Sequence, residues 1–141
     1  MTFVQRARQV LGHTVTPVFR GAGEQLAVAE THGLNVGRAL RAGHIEEASA
    51  SSVAAGAAIR IALKGPALHA APREAVLARI ARPLMKFLDA HDMASLSQQR
   101  FAASARLMGE GNIEDARKMA SLAQANLYDA RGRIAPLTKF A

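Results

Sequence analysis

IEEASASSVAAGAAIRIAL, residues Ile45 to Leu63, decides the fold class. Between Glu47 and Arg60 it carries no charge, and from Ala48 to Ala58 every residue is Ala, Ser, Val or Gly. Alanine is the strongest helix former, and Gly56 weakens a helix locally by only about 1 kcal/mol. The stretch therefore reads as a helix that is thin on every side. A helix apolar nearly all round belongs at the centre of a bundle, where neighbours cover it. Ser52 and Gly56, one turn apart, together with Ala48 and Ala55, are the expected place of a close helix crossing.

On the N-terminal side, Gly43 closes a short helix that Asn35 can cap, and Gly33 looks like the end of a helix opened by Thr16-Pro17. Thr2 and Gln5 have capping-box spacing, so a first helix is expected over residues 3–11. On the C-terminal side, Gly65-Pro66 stops the central helix. Pro72 can then open a helix with Val76, Leu77, Ile80, Leu84, Phe87 and Leu88 at helical spacing. Pro83 either kinks that helix or separates two short ones. Asp92 can cap a helix over residues 93–108, and Asn112 caps a last one to about Ala130. In that last helix Ile113, Ala116, Ala120, Ala123 and Leu127 repeat at spacings of three and four, the seam of a helix lying against an antiparallel neighbour. RGRIAPLTKFA, which follows, is expected to be extended, because Pro136 prevents a helix from continuing. No strand-length alternation competes. The expectation is an all-α bundle of five to seven helices built from antiparallel hairpins, one domain over residues 1–135 and an extended tail over 136–141.

The core is thinner than a hydrophobic content of 50% suggests, since 31 of those residues are Ala. With five Phe, one Tyr and no Trp, burial falls to Leu, Ile and Val, at roughly 1.5–3 kcal/mol per large side chain. Docking onto another chain would supplement it. With no Cys, disulfides, thiolate catalysis and cysteine-based zinc sites are excluded. Arg60 interrupts the longest apolar stretch, so no span is expected. MTFVQRARQV has charges where a signal peptide needs its apolar region. A cytoplasmic location, or a place in a larger assembly, is the corresponding expectation.

GHIEEA at residues 43–48 returns as GNIEDA at residues 111–116, an offset of 68. In each copy a glycine ends one helix, and an acidic residue followed by Ala opens the next: Gly43, Glu47 and Ala48, then Gly111, Asp115 and Ala116. The pattern resembles tetratricopeptide repeats, whose period of about 34 residues is half this offset. That resemblance implies stacked helical hairpins with a peptide-binding groove. The same residues also suit any tight turn between two helices, where glycine takes the left-handed position and acids sit in the next first turn.

Signatures of chemistry are missing. No H-E-x-x-H or E-x-x-H occurs, which argues against helical zinc proteases and di-iron bundles. His91 between Asp89 and Asp92 is the densest local group of potential ligands, yet His suits a helix end and Asp the next cap. Gly21-Ala22-Gly23 lacks the further glycine of a dinucleotide loop, and no G-x-S-x-G elbow is present. Ser49, Ser51 and Ser52 read as packing residues of the Ala-rich helix. The expectation is a protein that is not an enzyme and holds no cofactor or metal.

The net charge of +7 makes nucleic acid a candidate partner. Its basic side chains are spread over the chain; Arg79, Arg82 and Lys86 share one helical face, with Arg73 near them, and Arg131 and Arg133 lie toward the tail. These six are the candidate phosphate contacts. Two functions remain in view. One is a non-enzymatic assembly or adaptor protein that packs against its own copies or a protein partner, as in a virion or secretion component. The alternative is a basic protein making non-specific phosphate contacts on nucleic acid.

Overall fold

The computed structural model describes residues 16–64 and 82–135, and these form four helices: α1 (Thr16–Arg41), α2 (Ile45–Lys64), α3 (Arg82–Gly109) and α4 (Ile113–Ile134). The described residues are all-helical, with four helices in place of the expected five to seven. Two expected breaks are absent. Gly33 does not end a helix and Asn35 does not start one, because the buried stripe Ala22, Leu26, Ala29, Gly33, Val36 and Leu40 runs unbroken through both. Asp92 likewise lies inside α3, exposed beside the buried stripe Ala90, Ala94, Ser97, Phe101, Ser104 and Met108. A stripe that buries a residue every three or four positions favours one continuous helix over the local preference of a glycine or a capping residue. Pro83 is the second residue of α3, in the first turn, where its missing N–H leaves no bond unmade. At the other end α4 runs on to Ile134, which is buried, so RGRI is helical and not extended. The expected helix over residues 3–11, residues 72–81 of the expected Pro72 helix, and the tail 136–141 lie outside the described residues.

Each helix packs on the next, and α1 also packs on α4, which closes a ring α1–α2–α3–α4. Asn35 of α1 donates to Ser51 Oγ of α2 at 2.6 Å across the first hairpin. In the second hairpin, Ser97 Oγ donates to the Ala123 carbonyl at 2.8 Å and Ser104 Oγ to the Ala116 carbonyl at 2.7 Å. The closing seam is tied by Gln124 Nε2, which donates to the Glu30 carbonyl at 3.1 Å, and by the Arg131–Glu30 ion pair. Gly37 and Arg41 of α1 lie beside Ala120 and Arg117 of α4, while Arg20 and Glu24 lie beside Arg131 and Ile134, so α1 is antiparallel to α4; the two serine bonds make α3 antiparallel to α4. All four neighbouring pairs are therefore antiparallel, the up-down-up-down arrangement.

The two tight turns are built alike. Gly43 N–H bonds the Leu40 carbonyl at 3.2 Å and His44 N–H bonds that of Ala39 at 2.8 Å; 68 residues on, Gly111 bonds Met108 at 3.1 Å and Asn112 bonds Leu107 at 2.9 Å. Both are Schellman caps, and both glycines lie in the left-handed region, at φ 77° and 79°. The likeness extends through both hairpins. Every buried position from Ala90 to Ala130 falls, 68 residues earlier, on a buried position of the first hairpin. The offset thus spans a whole hairpin, and the two hairpins face each other in a closed ring; stacked repeats would leave the first and last helices apart. Because the two glycines are in the same geometry, Gly43→Ala and Gly111→Ala should lower stability by similar amounts, about 1 kcal/mol each. Urea midpoints of the two variants measure this, and a difference between them greater than the loss itself would show that the turns are not equivalent.

Most buried apolar residues among the described ones are Ala, and the large, fully buried side chains are Phe101, Leu26, Ile59, Leu127, Ile134 and Val36. At three matched positions a large side chain in one hairpin corresponds to a small one in the other: Leu26 matches Ala94, Val36 matches Ser104, and Gly33 matches Phe101. Phe101 Cζ would lie 2.9 Å from a Cβ on Gly33, so the ring reaches across the bundle into the space that the glycine leaves.

Candidate interaction surface

The four residues expected at a close crossing, Ala48, Ser52, Ala55 and Gly56, are all buried on the inner side of α2. They are occupied within the chain. A Cβ on Gly56 would meet only Gln98 Cγ at 4.0 Å, an ordinary contact, whereas one on Gly33 would fall 1.9 Å from Gln124 Oε1. Of these two glycines the tighter is thus Gly33, on α1. The sequence signal for it was the apolar stripe passing through Gly33, which a reading of glycine as a helix end overrides. Ser52 Oγ is buried without a hydrogen-bond partner among the described residues.

What α2 leaves outside is Glu46, Glu47, Ala50, Val53, Ala57, Arg60, Ile61 and Lys64. Val53 is 61% exposed and Ile61 57%. The middle of this face is uncharged; the acids are in its first turn and the bases near its last. The second hairpin supplies an internal control, since α4 occupies the equivalent place. Where α2 has Ser49, Ala50, Val53 and Ile61, α4 has Arg117, Lys118, Ser121 and Asp129. Every buried position of α4 up to Ala130 is also buried in α2, so the packing of the ring does not by itself require α2 to be apolar outside.

Among the candidate phosphate contacts, Arg73 and Arg79 lie outside the described residues, as do the side chains of Arg82 and Lys86 in the first turns of α3. Arg131 pairs with Glu30 across the α1–α4 seam, and Arg133 pairs with Asp129 at 3.1 Å along α4.

Sequence reasoning did not anticipate a groove of about 360 Å³ between α1 and α4, floored by Gly33, Gly37 and Ala120, with Arg41, Arg117 and Ser121 around it. It exists because two glycines thin α1 where Ala120 already thins α4. His44 lies 3.4 Å from Glu47, and His91 lies 3.8 Å from Asp92. No group of three or more His, Asp or Glu side chains that could hold a metal occurs among the described residues. None of the described helices is long and apolar enough to cross a membrane. Comparison with protein families, with curated proteins and with solved structures found no match.

Proposed function

We propose that the protein is a non-enzymatic helical assembly or adaptor protein that works by packing an outer helix face against another protein chain. The observation that supports this reading most is the exterior of α2, apolar over Ala50, Val53, Ala57 and Ile61, where the equivalent positions of α4 are Lys118, Ser121, Ala125 and Asp129, and the exposed Leu122 and Tyr128 of α4 stand among charges. Isolated exposed apolar residues are ordinary on protein surfaces, but a contiguous apolar face marks an interaction site. An Ala-rich face also permits close approach of two helices, near the short end of the usual 8–10 Å spacing.

The test is light scattering on the wild type and on Val53→Glu/Ile61→Glu as protein concentration rises. The wild type should show a mass above the 14.9 kDa of one chain, or a cross-linked partner chain along α2 in the cell. The double variant should lose the association and keep its melting temperature, because both side chains project away from the bundle. A wild type that remains at the mass of one chain and contacts no other protein through α2 would remove this function.

A further inference from the structure

From the exterior of α2 we infer that the partner is a second copy of this chain, paired antiparallel along α2 about a twofold axis between Val53 and Ala54. This rests on the assembly reading above and names its partner. The argument is one of self-complementarity. A twofold interface brings the same patch of each subunit together, so each residue must suit the one at its mirrored position. With the axis between residues 53 and 54, Ala50 meets Ala57 of the other copy, Val53 meets Ala54, Glu47 meets Arg60, and Ile61 lies against the methylene stem of Glu46. The pairing uses residues that the ring leaves outside: Glu47, Ala50, Val53, Ala57 and Arg60 are exposed, and Ala54 is half-buried.

Charge settles the direction. Glu46 and Glu47 are in the first turn of α2, while Arg60 and Lys64 are near its end. A parallel pair would place the acids of one copy beside the acids of the other and the bases beside the bases. An antiparallel pair places each acidic end beside a basic end and also opposes the helix dipoles. Glu47 accepts only weak competition from its own chain: a 3.4 Å bond from Asn35 Nδ2 and a 3.4 Å approach of His44, in a half-exposed setting. Arg60 has no ion pair among the described residues. Between these charged ends the faces that meet are small, so the backbones can approach as closely as Ala-rich seams do inside the ring. Val53, the largest side chain near the axis, packs over Ala54 of the other copy, which leaves it room.

The chain has no Cys, so introduced thiols report the geometry without background. Under mild oxidation, an equimolar mixture of Ala50→Cys and Ala57→Cys should yield a mixed disulfide dimer. Neither variant alone should cross-link, because each would need its thiol to meet its own copy several residues from the axis. Sedimentation measures affinity. Glu47→Lys and Arg60→Glu should each weaken the dimer about tenfold, and Glu47→Lys/Arg60→Glu should restore it, since both mirrored pairs are then reversed together. Circular dichroism should show all three variants folded as the wild type is, because the two positions are exposed. Self-cross-linking of Ala50→Cys with itself would overturn the antiparallel arrangement. A dimer insensitive to the charge variants and to Val53→Glu would place self-association elsewhere and overturn this pairing while leaving an assembly protein. A chain monomeric at every concentration, yet cross-linked to a different protein through α2, would overturn the twofold pairing and keep the proposed function. A monomer with no partner at all removes both.

Discussion

Phe101→Ala should lower stability by about 3–5 kcal/mol, the largest effect expected of any single truncation in the described core. Phe101 is fully buried and is the largest of the fully buried side chains. Its phenyl ring occupies the space opposite Gly33, in a core whose buried apolar residues are mostly Ala. The converse change, Gly33→Leu, should also destabilise, because even a Cβ there meets Phe101 and Gln124. Gln124 can swing aside at the loss of its bond to the Glu30 carbonyl, but the buried ring cannot. The two changes compensate. Gly33→Leu/Phe101→Ala supplies volume where volume was removed, so its loss should be smaller than the sum of the single losses by about 2 kcal/mol. A thermodynamic cycle from denaturant midpoints measures that difference. Strict additivity would show that the two positions do not share a cavity.

Ala123→Leu is expected to be the second most damaging change, at about 3 kcal/mol or more. Ala123 is fully buried on the seam between α3 and α4, and its carbonyl accepts the hydroxyl of Ser97. A longer side chain must push the helices apart, and forced overpacking costs about 1–3 kcal/mol. The separation would also break the Ser97 bond, and with it the matching bond of Ser104 to Ala116, one heptad away on each helix. Each buried hydroxyl left without an acceptor adds about 1–3 kcal/mol. Thermal melting with backbone amide exchange separates the two contributions: the carbonyl bonds are local, so exchange along α3 and α4 should rise more than along α1. A melting temperature unchanged by Ala123→Leu would mean that this seam is not closely packed.

The seam of α4 was the most legible part of the fold. Ile113, Ala116, Ala120, Ala123 and Leu127 carry a seam whose spacing admits one reading, and α4 follows it. The first hairpin misled where a residue has two uses. Gly33 can end a helix or thin it, and only the position of Phe101, remote in sequence, decides between them. Asn35 can cap a helix or bond across to a neighbour; with Ser51 2.6 Å away it does the second. The centrality of α2 was also only half legible. Absence of charge showed that some face of it must be covered, but a ring of four gives each helix two neighbours, so one side stays outside. Which side that is depends on Ala48, Ser52, Ala55 and Ile59 turning inward together. The groove between α1 and α4 needed Gly33, Gly37 and Ala120 to be placed side by side, which no local pattern encodes.

Both Schellman turns lie at one end of the ring, since α1 and α3 run in the same direction and each turns back at once. Thr16, Lys64, Arg82 and Ile134 therefore share the opposite end. In permutation terms the ring has no first hairpin. A chain joined from Ile134 to Thr16 and opened between α2 and α3 would thread the same four helices in the order α3, α4, α1, α2. With matching buried positions in the two hairpins, the same large and small side chains would meet, and the exterior of α2 would stay uncovered along one flank. The order in which the hairpins are synthesised is thus a property of the chain and not of the bundle.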